Sequence, residues 1–132
     1  MMIKRDIYIN DRIKPIRAEC SDNEEYFGDT PVTIYDDFKI SLVLSDDCGA
    51  VIGDKAFFPK RGDVMIFRPN EVHFGRFPLL GKYRFISFLI PVNVFEKVFT
   101  TSRGIMFPFE DNEHDRVNHI RLPEKKKTVL LI

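Results

Sequence analysis

The sequence has no tryptophan, only two cysteines and three histidines, and no excess of either charge. Each shortage removes a class of explanation. Twenty basic side chains balance twenty acidic ones, so no summed positive field exists to bind a phosphate backbone or an anionic bilayer. Cys20 and Cys48 are too few for a disulfide scaffold. With no signal peptide ahead of them, both are read as free thiols in a reducing cytoplasm. Long apolar runs are missing too: Phe85 to Val92 falls well short of the ~20 residues a membrane-spanning helix needs.

What is present suits one compact unit. A length of 132 residues accommodates a single core and leaves no room for a second. Thirteen phenylalanines within a 44% apolar composition can fill that core, and 30% charged residues keep the surface hydrated.

Strand patterns dominate the first two-thirds. In Phe38 to Leu44, Phe38, Ile40, Leu42 and Leu44 alternate with Lys39, Ser41 and Val43, which predicts a strand whose core face is the apolar set. Turn residues Asp46 to Gly49, a short strand Ala50 to Ile52, the turn Gly53-Asp54 and Ala56 to Phe58 predict a hairpin. Val64 to Phe67 reads as a buried run stopped by Pro69-Asn70, and Lys82 to Ile90 as the longest strand. Short strands at regular spacing predict a sandwich or small barrel.

The period changes after Pro91. Val94, Phe95, Val98 and Phe99 fall on one helical stripe, and Asn93 with Glu96 has capping-box spacing. After a polar loop from Glu110 to His119, Pro123 sits where a helix begins and Val129 to Ile132 is apolar. A helix cut off at Ile132 predicts a continuation beyond the chain. Dimerisation is assigned to Val94, Phe95, Val98, Val129 and Leu130, because these apolar residues otherwise lack partners.

The stretch GDVMIFRPNEVHF, Gly62 to Phe74, carries a glycine, an apolar strand, a turn and a histidine. It resembles the second conserved motif of the cupins, which ends in a metal-ligating histidine in their metal-binding members. It is more similar to the form found in the N-terminal effector domains of AraC-type bacterial transcription regulators. Arg68 replaces the motif proline, and Asn70 stands for the inner glycine, a position asparagine tolerates because it adopts positive φ. The resemblance runs from about Tyr35 to the C-terminus.

It implies a mainly β, cupin-like double-stranded β-helix (jelly-roll) barrel over 21–92, preceded by an N-terminal arm or edge strand over 1–20. A C-terminal helical segment over 93–132, with one or two α-helices, would then be truncated before a DNA-binding domain. The first cupin motif, H-x-H followed by E, falls on Thr33, Tyr35 and Lys39, none a usual ligand, so no metal is expected. His114 and His119 add no metal-site spacing, and no catalytic constellation emerges.

The barrel is instead expected to hold a small-molecule effector, a sugar or carboxylate metabolite, with Tyr35, Lys39, Ser41, His73 and Arg84 as contacts. For His73 a turn histidine bonded to backbone is the equal alternative, for Arg84 a solvated side chain, and for Lys39 an outward one. The function these expectations describe is a non-enzymatic, cofactor-free sensing and dimerisation domain of an AraC-type regulator. It would be a cytoplasmic homodimer with no membrane contact, reaching DNA only through a domain absent from this chain. A stand-alone, metal-independent cupin enzyme of isomerase or epimerase type is the alternative.

Overall fold

Alternating and β-branched segments form strands throughout. The computed structural model describes residues 2–8, 14–21, 25–94 and 118–121. Within them lie β1 Met2–Ile7, β2 Ile16–Ser21, β3 Glu25–Asp29, β4 Phe38–Val43 and β5 Gly49–Ile52. β6 Lys55–Phe57, β7 Val64–Phe67, β8 His73–Lys82, β9 Phe85–Ile90 and β10 His119–Ile120 follow. One sheet has six strands in the order β1-β2-β9-β4-β7-β10, the other four in the order β3-β8-β5-β6. All pairings between named strands are antiparallel. The architecture is mainly β, a two-sheet jelly-roll-like arrangement. Among the described residues no helix is long and apolar enough to cross a membrane.

The hairpin of β5 and β6 turns through Gly53, whose φ of 59° is open to glycine at no steric cost. β1 lies at the edge of the larger sheet, and β2 lies between β1 and β9. Residues 2–7 and 16–21 thus extend the same sheet that carries β4.

The long strand lies elsewhere than its sequence predicts. β8, ten residues from His73 to Lys82, ends where the expected Lys82 to Ile90 strand begins, and β9 starts only at Phe85. Gly75, Pro78 and Gly81 hide β8 from a propensity reading. Pro78 is tolerated because the register between β8 and β3 shifts between Tyr26 and Gly28, and a bulge spares the missing amide. A second departure is β10: His119 and Ile120, expected at the end of a loop and before a helix, pair with Met65 and Val64.

The two faces of β4 are the reverse of the expected assignment. Lys39, Ser41 and Val43 face the space between the sheets, where Val43 packs with Ile52, Met65 and Phe67. Phe38 and Ile40 lie on the other face, in a cluster with Ile90 and Val94. Both faces are covered, so apolar alternation alone could not tell inside from outside. Residues 92–94 are helical, and Asn93 Oδ1 accepts a hydrogen bond from the Val94 amide at 3.0 Å. The rest of that stripe and the segment after Pro123 lie outside the described residues.

Candidate functional site

Between the sheets is a cavity of about 290 Å³. The larger sheet contributes Glu19 from β2, Lys39 and Ser41 from β4, Phe67 from β7 and Ser87 from β9. From the smaller sheet come Tyr26 of β3 and His73, Gly75 and Phe77 of β8, while Thr33 and Tyr35 enter from the segment before β4. Tyr26 and Phe77 stack with centroids 4.7 Å apart. The walls therefore combine aromatic faces with polar side chains, the make-up of a small-ligand site.

His73 is placed by the turn that precedes it. Asn70, at φ 63°, reverses the chain, and its amide donates to the Tyr35 carbonyl at 2.7 Å. The Glu71 carboxylate accepts from the Arg68 amide at 3.1 Å and from Asn118 Nδ2 at 2.9 Å. Locked this way, the Glu71 carbonyl lies 2.9 Å from His73 Nδ1. A carbonyl only accepts, so Nδ1 carries the proton and Nε2 presents a lone pair. His73 is 6% exposed, and Nε2 is buried with no hydrogen-bond partner. The turn reading describes Nδ1, which closes the turn; Nε2 is left buried without a hydrogen-bond partner.

Lys39 reaches the same region. Its Nζ lies 5.4 Å from the Tyr35 ring centroid and 5.2 Å from that of Phe67, and the Phe67 ring is 4.4 Å from the His73 ring. Burial lowers the Lys39 pKa below the ordinary lysine value, with the negative charge of Glu19 acting in the opposite direction. Burial also lowers the His73 pKa; its bond to the Glu71 carbonyl opposes this, and the nearby Lys39 charge adds to it. Burial raises the Tyr35 phenol, and Glu19 adds to that rise. Each group is thereby biased toward its neutral form.

Ser41 also lies in the cavity wall, its Oγ 2.7 Å from Ser87 Oγ. Arg84 does not: it sits in the break between β8 and β9, its side chain exposed, and its amide donates to Ser45 Oγ at 2.8 Å. The strand expected to carry it from Lys82 to Ile90 begins only at Phe85, one residue past it. Val94 is 2% exposed and packed into the chain's own core. Phe95, Val98, Val129 and Leu130 lie outside the described residues. Glu19, Ser87 and Phe67 were missed because nothing in one sequence shows that β2, β9 and β7 flank β4. The burial of Cys48 pushes its thiol up to about 11, which leaves it unreactive.

No family model and no curated protein matches the chain. Solved structures do. A Cupin 2 conserved barrel domain protein from Salinispora arenicola superposes with a TM-score of 0.53 at 10% identity, over 76% of this chain and 84% of that one. The plu4264 protein from Photorhabdus luminescens gives 0.53 at 12% identity, over 76% and 83%. The Cnp3 cupin domain of Schizosaccharomyces pombe gives 0.50 at 12% identity, over 74% and 69%.

The fold is cupin-like. At such identities the likeness speaks to architecture alone. Thr33, Tyr35, Lys39 and His73, the residues on which the sequence resemblance places the cupin motifs, all line this cavity. A single imidazole beside a lysine amine is a poor donor set for a divalent cation, which needs three or four protein ligands. Among the described residues no group of three His, Cys, Asp or Glu side chains is arranged to hold a metal ion. These residues do not fit such an ion.

Proposed function

We propose that this cupin-like domain binds a small, hydroxyl-bearing organic molecule between its sheets, directly on protein side chains. The observation that carries the reading is His73 Nε2, a buried acceptor without a partner on the wall of a 290 Å³ cavity. An unsatisfied buried acceptor costs about 1–3 kcal/mol, which a guest hydroxyl recovers by donating to it. The volume lies near the low end of ligand pockets, roughly 300 Å³ upward, and suits a guest of monosaccharide size. The aromatic walls supply apolar contact for its carbon face.

Metal-independent chemistry of isomerase or epimerase type is the use best supported by the geometry. An amine, an imidazole and a phenol share one cavity, and burial moves the pKa of the Lys39 amine toward neutral pH and leaves His73 an unprotonated base, the groups an acid–base reaction needs. Effector sensing in an AraC-type regulator is the second reading, supported by the wording of the turn Arg68 to His73. In that case ligand binding shifts a population of conformers and turns nothing over.

Saturation-transfer NMR with ribitol, glucose and gluconate tests the proposal. Saturable binding to at least one of them, weakened about tenfold or more in His73→Ala, is the expected result. Binding untouched by that substitution, or no binding at all, contradicts it. Conversion of the bound compound separates enzyme from sensor.

A further inference from the structure

We propose that Lys39 captures a carbonyl-bearing ligand covalently, as an imine. This deepens the reading above and rests on it: the guest that hydrogen-bonds in the cavity would also carry an aldehyde or ketone within reach of the Lys39 amine.

Three observations converge. The Lys39 side chain is packed between the Tyr35 and Phe67 rings, and among the described residues no carboxylate lies within ion-pair distance of its Nζ. An ammonium kept solely for stability would be paired or turned to water. The cavity wall also includes Glu19, 7% exposed. Its negative charge repels a carboxylate guest and leaves a neutral carbonyl unopposed, which favours condensation over a simple ion pair. Finally, His73 Nε2 offers an unprotonated base on the same wall, and Tyr35 a hydroxyl donor. Burial of Lys39 acts in the same direction, since a desolvated lysine is the activated nucleophile of imine-forming sites.

The step balances without an oxidant or reductant. The Nζ lone pair forms the C–N bond while the carbonyl π pair moves to oxygen. Both amine hydrogens leave with that oxygen as water, the first passing through His73 Nε2. Loss of water places the C=N double bond on Lys39 Nζ.

The test uses the full chain with propanal and sodium cyanoborohydride, which reduces an imine to a stable secondary amine. Peptide mass spectrometry at neutral pH is expected to locate the propyl adduct first on Lys39, modified several-fold faster than exposed Lys55, Lys60 or Lys82. The advantage shrinks as pH rises and the surface amines lose their protons. Lys39→Met, checked for its strand signal by circular dichroism, is expected to abolish the fast phase and leave the slow one. Adducts spread over exposed lysines with Lys39 spared would overturn the proposal. Ribitol, which has no carbonyl, keeps the two claims apart. If ribitol binds and Lys39 is not trapped, covalent capture fails and non-covalent binding stands; if Lys39 is not trapped and none of ribitol, glucose and gluconate binds, both fail.

Discussion

Ser41 Oγ and Ser87 Oγ lie 2.7 Å apart on directly paired positions of β4 and β9. Both residues are buried, so the pair joins the two central strands through the cavity wall. Removing either hydroxyl leaves the other without this partner. Ser41→Ala and Ser87→Ala should each lower unfolding free energy by about 1–3 kcal/mol, and the double variant by less than the sum. Urea denaturation of the four proteins reads the coupling; strict additivity would mean that the hydroxyls act independently.

The turns on either side of β7 depend on left-handed backbone. Gly62 has φ 88° and Asn70 φ 63°, conformations that cost a residue with a Cβ roughly 1–2 kcal/mol. Gly62→Ala and Asn70→Val should each destabilise by about that amount, whereas Asn70→Gly should stay within about 0.5 kcal/mol of the parent. Thermal melts compare the three.

Lys39 and His73 both have folded-state pKa values below their ordinary ones of 10.5 and 6.5. Between each lowered value and the ordinary one, the unfolded chain binds more protons than the folded chain, so stability rises with pH across both windows. For His73 the stability is complete above 6.5 and is lost as pH falls through the folded value. For Lys39 the loss begins below 10.5 and is complete once pH has fallen through the folded value. Lys39→Met should raise stability at neutral pH and flatten the alkaline slope; His73→Gln should flatten the mildly acid one. Denaturation midpoints across pH check both, and unchanged slopes would show that neither group is desolvated.

Asp63 is fully buried, and its Oδ2 accepts from the Lys60 amide at 2.8 Å, from His119 Nε2 at 2.8 Å and from Arg121 Nε at 3.4 Å. This carboxylate holds β10 against β7. His119→Ala should cost about 1–3 kcal/mol, while Arg121→Ala, removing a largely exposed partner, should cost about 0–1 kcal/mol. Hydrogen exchange at Met65 and Ile66 should accelerate in the first variant alone.

Local chemistry made several of these features legible in the sequence. The turn at Gly53 with the hairpin around it, and the positive φ of Asn70, follow from residue types that permit few alternatives. Which face of β4 points inward was not legible, because Phe38 and Ile40 are buried or half-buried on one face and Ser41 and Lys39 likewise on the other. β8 escaped notice for a related reason: its glycines and Pro78 are accommodated by a bulge with β3, a contact made across more than forty residues of chain. Arg84 was lost with it. That His73, Tyr35 and Lys39 share a cavity wall was legible through the motif spacing, and Ser41 through the strand face it shares with Lys39. Glu19 and Ser87 required knowledge of which strands adjoin.

The proton of His73 decides whether Nε2 can accept a hydrogen bond from a guest. Nitrogen-15 NMR of histidine-labelled protein at neutral pH reports directly which ring nitrogen carries it. The predicted spectrum shows His73 as the neutral Nδ1–H form, with Nε2 unprotonated and moving toward hydrogen-bonded shifts when a bound hydroxyl compound is added. An Nε2–H form, or a doubly protonated ring, would contradict it.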